Sequence, residues 1–319
     1  SPNFVDRYKF RLPVNSFTCL LVYSKKMKIL ILGAGKMGTF LTDVLCIQHE
    51  VALFDTDPTR LRFVFNTLRM TEYEEVRAFE PELVINCVTL KYTIEAFQTI
   101  LPYLPKNCII SDIASVKTGL QSYYESTGMR YVSTHPMFGP TFATLDNLST
   151  QSSIIISESD HMGKAFFKDL YGSLKLKIFE YTFDEHDETI AYSLSIPFAS
   201  TLVFASVMKP QEAPGTTFKR HMDIAKGLLS EDDYLLTEIL FNPNTPKQIN
   251  NIRTELKNLL NMIENKDTEK MQAFLNQQQA LPLLISLVET HQPQSMSFLF
   301  KGSRYTHMET LMADLMEKL

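Results

Sequence analysis

The chain has 319 residues, 45% hydrophobic and 21% charged, the balance of a soluble globular protein with room for two domains. A formal net charge of -5 without a long basic run excludes the electrostatic footprint of a nucleic-acid or anionic-membrane binder. None of its seven histidines falls in an HExxH or Cys/His cluster, so no metal is expected, and no apolar run reaches the ~18 residues of a membrane span. Cys19, Cys46, Cys87 and Cys108 form no CxxC pair and read as reduced thiols of a cytoplasmic protein.

Residues 1–26 read as an N-terminal appendage. Within them, residues 16–23 resemble a short signal-peptide core, but no small-residue cleavage site follows. From Met27 the pattern becomes regular. Lys28 to Leu32 is a continuous apolar run of the kind that forms a buried parallel strand. It leads into Gly33-Ala34-Gly35-Lys36-Met37-Gly38, a helix through Cys46, and a second strand, Val51 to Phe54, ending at Asp55. This strand, glycine turn, helix and strand form a dinucleotide-binding unit of Rossmann type. Gly33 permits the tight turn, Gly35 lets backbone approach a pyrophosphate, and Gly38 lets the helix pack against the sheet. The helix N-terminus, at Lys36 and Met37, offers free N–H groups to phosphate. Asp55 is placed to accept ribose hydroxyls, which favours NAD, while nearby Arg60 leaves NADP possible.

The alternation continues with strands at 82–88 and 108–112 and a helix at 92–101. Ligands of doubly wound sheets lie beyond the carboxyl ends of the strands, so Thr89, Leu90 and the 113–115 stretch are expected to border the nicotinamide. Ser115 is either part of that border or the N-cap of a helix through Tyr124. Ser133 to Pro140 holds two prolines and a glycine around His135. These restrictions fix the chain path, so His135 is presented either as a catalytic base or as a partner for its own loop. A strand at 153–157, a helix from Ser159 to Tyr171 and a strand from Lys177 complete a first domain, 27–181. Thr182 to Glu185 then forms a capping box heading a long apolar helix to Met208, kinked at Pro197. Helices follow at 218–229, 232–241 and 247–265. The predicted fold class is therefore α/β, a doubly wound sheet followed by an all-α domain at 182–275 that pairs with a second copy of itself. Residues 276–319 form an extension without a legible role.

Four motifs in order, Gly33 to Gly38, Asp112 to Lys117, His135 to Pro140, and His186-Asp187 ahead of a proline-containing helix, resemble the prephenate/arogenate dehydrogenase family of tyrosine biosynthesis. The resemblance covers about residues 27 to 275. It implies the NAD-dependent oxidative decarboxylation of prephenate to 4-hydroxyphenylpyruvate, carbon dioxide and NADH, and the pairing of helical domains expected above would make the chain a homodimer. His135 would accept the ring hydroxyl proton, and Ser115 would hydrogen-bond that hydroxyl and the cofactor. No metal is required.

The chain also departs from that pattern. Relatives often carry histidines on both sides of the helix proline, where this chain has Ser195-Ile196-Pro197-Phe198. Asp223 aligns with an arginine that pairs with a substrate carboxylate, so Arg220 becomes the first candidate cation, with a solvated helix-face charge as its other reading. Thr141 stands where some relatives have an acidic gate residue. Arogenate dehydrogenase, a β-hydroxyacid dehydrogenase relative using a lysine base, and a nucleotide-sensing module without turnover are the alternative readings.

Overall fold

The computed structural model describes residues 26–139, 145–209 and 211–278. Eight strands form one sheet: β1 (Lys28–Leu32), β2 (Glu50–Phe54), β3 (Leu68–Met70), β4 (Leu83–Asn86), β5 (Ile109–Asp112), β6 (Arg130–Pro136), β7 (Ser152–Ile156) and β8 (Lys177–Tyr181). Their order is β3-β2-β1-β4-β5-β6-β7-β8. Neighbours from β3 to β6 are parallel, β7 runs antiparallel to β6, and β8 is parallel to β7. The connecting helices are α1 (Lys36–Leu45), α2 (Tyr73–Phe79), α3 (Thr93–Ile100), α4 (Leu120–Thr127) and α5 (His161–Ser173).

The unbroken apolar run of β1 follows from burial on both faces of the sheet. Ile29 and Ile31 pack with Leu41 of α1 and Phe167 of α5, whereas Leu30 and Leu32 pack with Val76 of α2, Phe97 of α3 and Tyr124 of α4. Each fully buried aliphatic side chain contributes about 1.5–3 kcal/mol. Both helical layers therefore fix the strand.

Two elements, β3 and α2, have no counterpart in the sequence reading. β3 is three residues long, with Leu68 and Arg69 exposed, so it carries no apolar period. α2 is capped by Glu72, whose box with Glu75 lacks the usual Ser or Thr signature. A third difference concerns His135, which lies in a strand and not in a proline-fixed loop. β6 runs through Pro136, with His135 opposite Ile154 and Pro136 opposite Ser153. Proline is tolerated there because it ends the strand. Ser115 does not cap a helix either. α4 begins at Leu120 behind Gly119, whose φ of +78° forms the N-cap.

After β8 the chain turns helical: α6 (Phe183–Ile190), a π turn at Ala191–Ser195, α7 (Ile196–Val207), α8 (Thr216–Leu228), α9 (Asp233–Leu240) and α10 (Thr245–Glu264). The expected capping box is present, with Thr182 Oγ1 accepting from Glu185 N at 3.1 Å and Glu185 Oε2 accepting from Thr182 N at 3.0 Å. The predicted long helix is present as one helical stretch, Phe183–Val207, and a π turn immediately ahead of Pro197 loosens the backbone where the proline lacks an N–H. Ser195 Oγ donates to Ile239 O at 2.8 Å, tying the turn to α9.

Compact units divide at Gln248/Ile249, so α6 to α9 cluster with the sheet. The second unit holds the rest of α10 and a helix at 268–278, with Leu256, Leu260 and Ile263 exposed. One helical stretch, Phe183–Val207, is long and apolar enough to cross a membrane by length and composition. Counting uninterrupted apolar residues misses it because serines and threonines punctuate it.

Candidate active site

Each glycine of the β1–α1 turn has a distinct environment. Gly33 has a φ of +94°, and a Cβ there would lie 3.1 Å from Cys87 O. A Cβ on Gly38 would lie 1.9 Å from Gly33 O, so only glycine lets α1 approach the turn this closely. Nothing lies within 4 Å of a Cβ built on Gly35, and the α1 N-terminus has no side-chain cap. The cradle that a pyrophosphate would fill is therefore open. It belongs to a cleft of about 420 Å³ that includes Gly33, Gly35, Asp55, Arg60, Tyr73 and Thr89. Leu90, Lys36 and Met37 do not line that cleft. Lys36 is exposed and the other two are half-buried.

Asp55 sits at the end of β2 as expected, with a second role that spacing does not reveal. Its Oδ2 accepts from Ala34 N at 2.8 Å and its Oδ1 from Asp57 N at 2.9 Å. The carboxylate thus locks the glycine turn while its remaining lone pairs face the cleft. Arg60 is exposed at the rim, 3.7 Å from Asp57.

Beyond the carboxyl ends of β5 and β6 lies a buried polar cluster. His135 Nδ1 is 3.0 Å from His186 Nε2, and His186 Nδ1 is 3.1 Å from Asp187 Oδ1. Asn242 Nδ2 donates to Asp187 O at 2.8 Å. Beneath the histidines, Lys117 Nζ pairs with Asp112 Oδ1 and donates to Thr134 O at 2.7 Å. Asp112 Oδ2 accepts from Tyr124 OH at 2.6 Å, and Thr134 Oγ1 bonds Tyr171 OH at 2.8 Å.

Burial pushes His135 well below the ordinary histidine range, with the His186 ring and the Lys117 ammonium acting in the same direction. Burial, then Lys117, lowers His186 to about 3 against the opposing field of Asp112. Both imidazoles are therefore neutral, the state a proton acceptor requires. Burial raises Asp187, opposed by the Lys117 ammonium and N–H.

A stability consequence follows from the lowered His186. In the unfolded chain it ionises near ~6.5, so below that pH the unfolded state binds the additional proton, and stability falls by about 1.4 kcal/mol per pH unit for this group. His135 acts in the same direction, and the stability is fully present above ~pH 6.5. In urea titrations between ~pH 5.5 and ~4.5, where the unfolded imidazole is almost fully charged, His186→Gln is expected to flatten the wild-type slope by about that amount. Parallel curves would contradict the neutral, buried assignment.

The other predicted site residues are placed differently. Ser115 is half-buried in the β5–α4 connection, and Arg220 is exposed on α8. Among the described residues no hydrogen bond joins either to His135. Thr141 lies outside the described residues. His186, Asp187 and Lys117 received no individual role from sequence reasoning, although all three stood in the motifs of the resemblance. His186 reaches His135 across 51 residues of sequence.

Residues 46–177 match the family model for prephenate dehydrogenase, nucleotide-binding domain. That segment is similar to the nucleotide-binding domain of prephenate dehydrogenases. A curated relative from Methanocaldococcus jannaschii, a probable arogenate/prephenate dehydrogenase, is 22% identical over 203 residues, 59% of this chain. The match spans only 45% of that relative's length. Among solved structures, prephenate dehydrogenase from A. aeolicus with hydroxyphenyl propionate and NAD+ aligns with a TM-score of 0.71 at 19% identity, covering 82% of this chain and 99% of that one. Synechocystis arogenate dehydrogenase aligns with a TM-score of 0.65 at 16% identity, covering 80% and 98%. At these identities the prephenate dehydrogenase structures establish the fold.

Proposed function

We propose that this chain is an NAD-dependent prephenate dehydrogenase that converts prephenate to 4-hydroxyphenylpyruvate and carbon dioxide. The observation that carries this reading is the neutral, buried His135 at the carboxyl edge of the sheet, its Nδ1 engaged by His186. The dinucleotide cleft opens along the same edge. Gly33, Gly35, Gly38 and Asp55 would hold the dinucleotide, and Asp55 disfavours a 2′-phosphate. NAD, when bound, accepts the hydride from the carbinol carbon of the substrate.

In this reading the unengaged Nε2 of His135 takes the ring hydroxyl proton, which drives hydride departure from the same carbon. Ser115 hydrogen-bonds that hydroxyl and the cofactor. The ring carboxylate leaves as carbon dioxide, and its electron pair completes the aromatic ring. Arg220 on α8 is the proposed partner of the side-chain carboxylate. The functional layout is a sheet domain of 27–181 and a helical domain of 182–275. Two copies would pair through the helical domain, where Val203 and Val207 of α7 are exposed.

Arogenate is the second substrate reading, favoured by the fold shared with the Synechocystis arogenate dehydrogenase. Initial rates of nicotinamide reduction with prephenate and with arogenate, each offered with NAD and with NADP, test the assignment. The expected result is the highest kcat/KM with prephenate and NAD. Preference for arogenate would change the substrate, and reduction with neither would overturn the assignment.

A further inference from the structure

We propose that His186 and Asp187 are positioning residues that set the tautomer of His135, leaving its Nε2 as the basic nitrogen. The proposal deepens the reading of His135 as the proton acceptor and rests on it. The line of contacts runs inward from Asp187 through His186 to His135. An ionised carboxylate, as at Asp187, only accepts hydrogen bonds. His186 Nδ1, 3.1 Å from that carboxylate, must therefore carry the proton. A neutral imidazole has one N–H, so His186 Nε2 presents a lone pair. His135 Nδ1 lies 3.0 Å from it and can bond to it only by donating. The proton of neutral His135 is thereby held on Nδ1, and Nε2 carries the free lone pair.

The alternative tautomers leave an unfavourable contact. A His135 protonated on Nε2 would set two lone pairs against each other across the His135–His186 contact, in a site where both rings are buried. An unmade buried hydrogen bond costs about 1–3 kcal/mol. When Nε2 accepts the substrate proton, the resulting imidazolium keeps its Nδ1–H bonded to His186, which Asp187 orients. The arrangement has the logic of a base oriented by a third group, with a second histidine placed between carboxylate and base.

The test uses isotope-labelled histidine in the full chain without substrate, read by long-range proton–nitrogen correlation. Wild type is expected to show both His135 and His186 protonated on Nδ1. In Asp187→Asn the amide NH2 can donate to His186 Nδ1, which a carboxylate cannot do. Both imidazoles are then expected to switch to the Nε2–H form. Wild-type His135 protonated on Nε2, or a tautomer that Asp187→Asn leaves unchanged, would overturn the proposal.

Kinetics provide a second readout if Asp187→Asn folds poorly. His186→Leu is expected to lower kcat on the order of 10²-fold or more with unchanged NADH affinity. His186→Gln, whose amide oxygen can still accept from His135, is expected to recover much of that loss. Equal activity of the Leu and Gln variants would contradict the proposal. The spectroscopic arm needs no turnover, so its failure is distinguishable from failure of the dehydrogenase assignment.

Discussion

Replacing Lys117 by Met will destabilise the protein by about 3–5 kcal/mol, the usual cost of stranding a buried charge. Lys117 and Asp112 have fully buried side chains. Their pairing is reinforced from both sides, since Lys117 also donates to Thr134 O and Asp112 accepts from Tyr124 OH and from Ala114 N at 3.0 Å. Without the ammonium, Asp112 keeps two hydrogen bonds but loses its counter-charge. Its choices are to ionise unpaired or to take up a proton. Asp112→Asn alone leaves the ammonium stranded in the same way. The double variant Lys117→Met/Asp112→Asn is therefore expected to be markedly less destabilised than the sum of the two single losses. Urea denaturation of the four proteins measures this coupling. Strict additivity, or a single-variant loss below about 1 kcal/mol, would mean that the pair does not act as a buried unit. Lys117 also grips the carbonyl of Thr134, the residue next to His135.

The sequence was most legible where one physical constraint forces one residue type. β1 and its glycine turn were readable because burial on both faces demands an apolar run and because Gly33 and Gly38 each sit where a Cβ is refused. The Thr182–Glu185 capping box was readable because both partners lie within one turn. β3 and α2 were not, since a three-residue edge strand has no period and Glu is an unusual cap. The strand through Pro136 was hidden because its partner, β7, arrives from downstream and supplies the antiparallel pairing. His135 could be singled out from its neighbours, but its environment could not. His186 and Asp187 arrive on α6 and Lys117 in the β5–α4 connection, and only the folded packing of these two segments brings them together around His135. Arg220 illustrates the reverse. Its type suits a carboxylate partner, but its position on exposed α8 places it in solvent within one copy of the chain.

His135→Asn carries the largest expected effect on rate. Asparagine is smaller, is neutral at every working pH and cannot accept the hydroxyl proton. It removes general-base assistance, which is worth ~10²–10⁴-fold or about 3–5 kcal/mol of transition-state stabilisation. His135 does not line the dinucleotide cleft, so NADH affinity should be retained. The loss should fall on kcat and kcat/KM alike, the pattern of an interaction made only in the transition state. The most direct measurement is therefore nicotinamide reduction by wild type and His135→Asn with saturating prephenate and NAD, alongside NADH titration of both proteins. The account predicts turnover by wild type, a loss of ~10²-fold or more in the variant, and matching NADH affinities. Undiminished turnover in the variant, or a folded wild type that binds NADH yet reduces no cofactor with prephenate or arogenate, would contradict it.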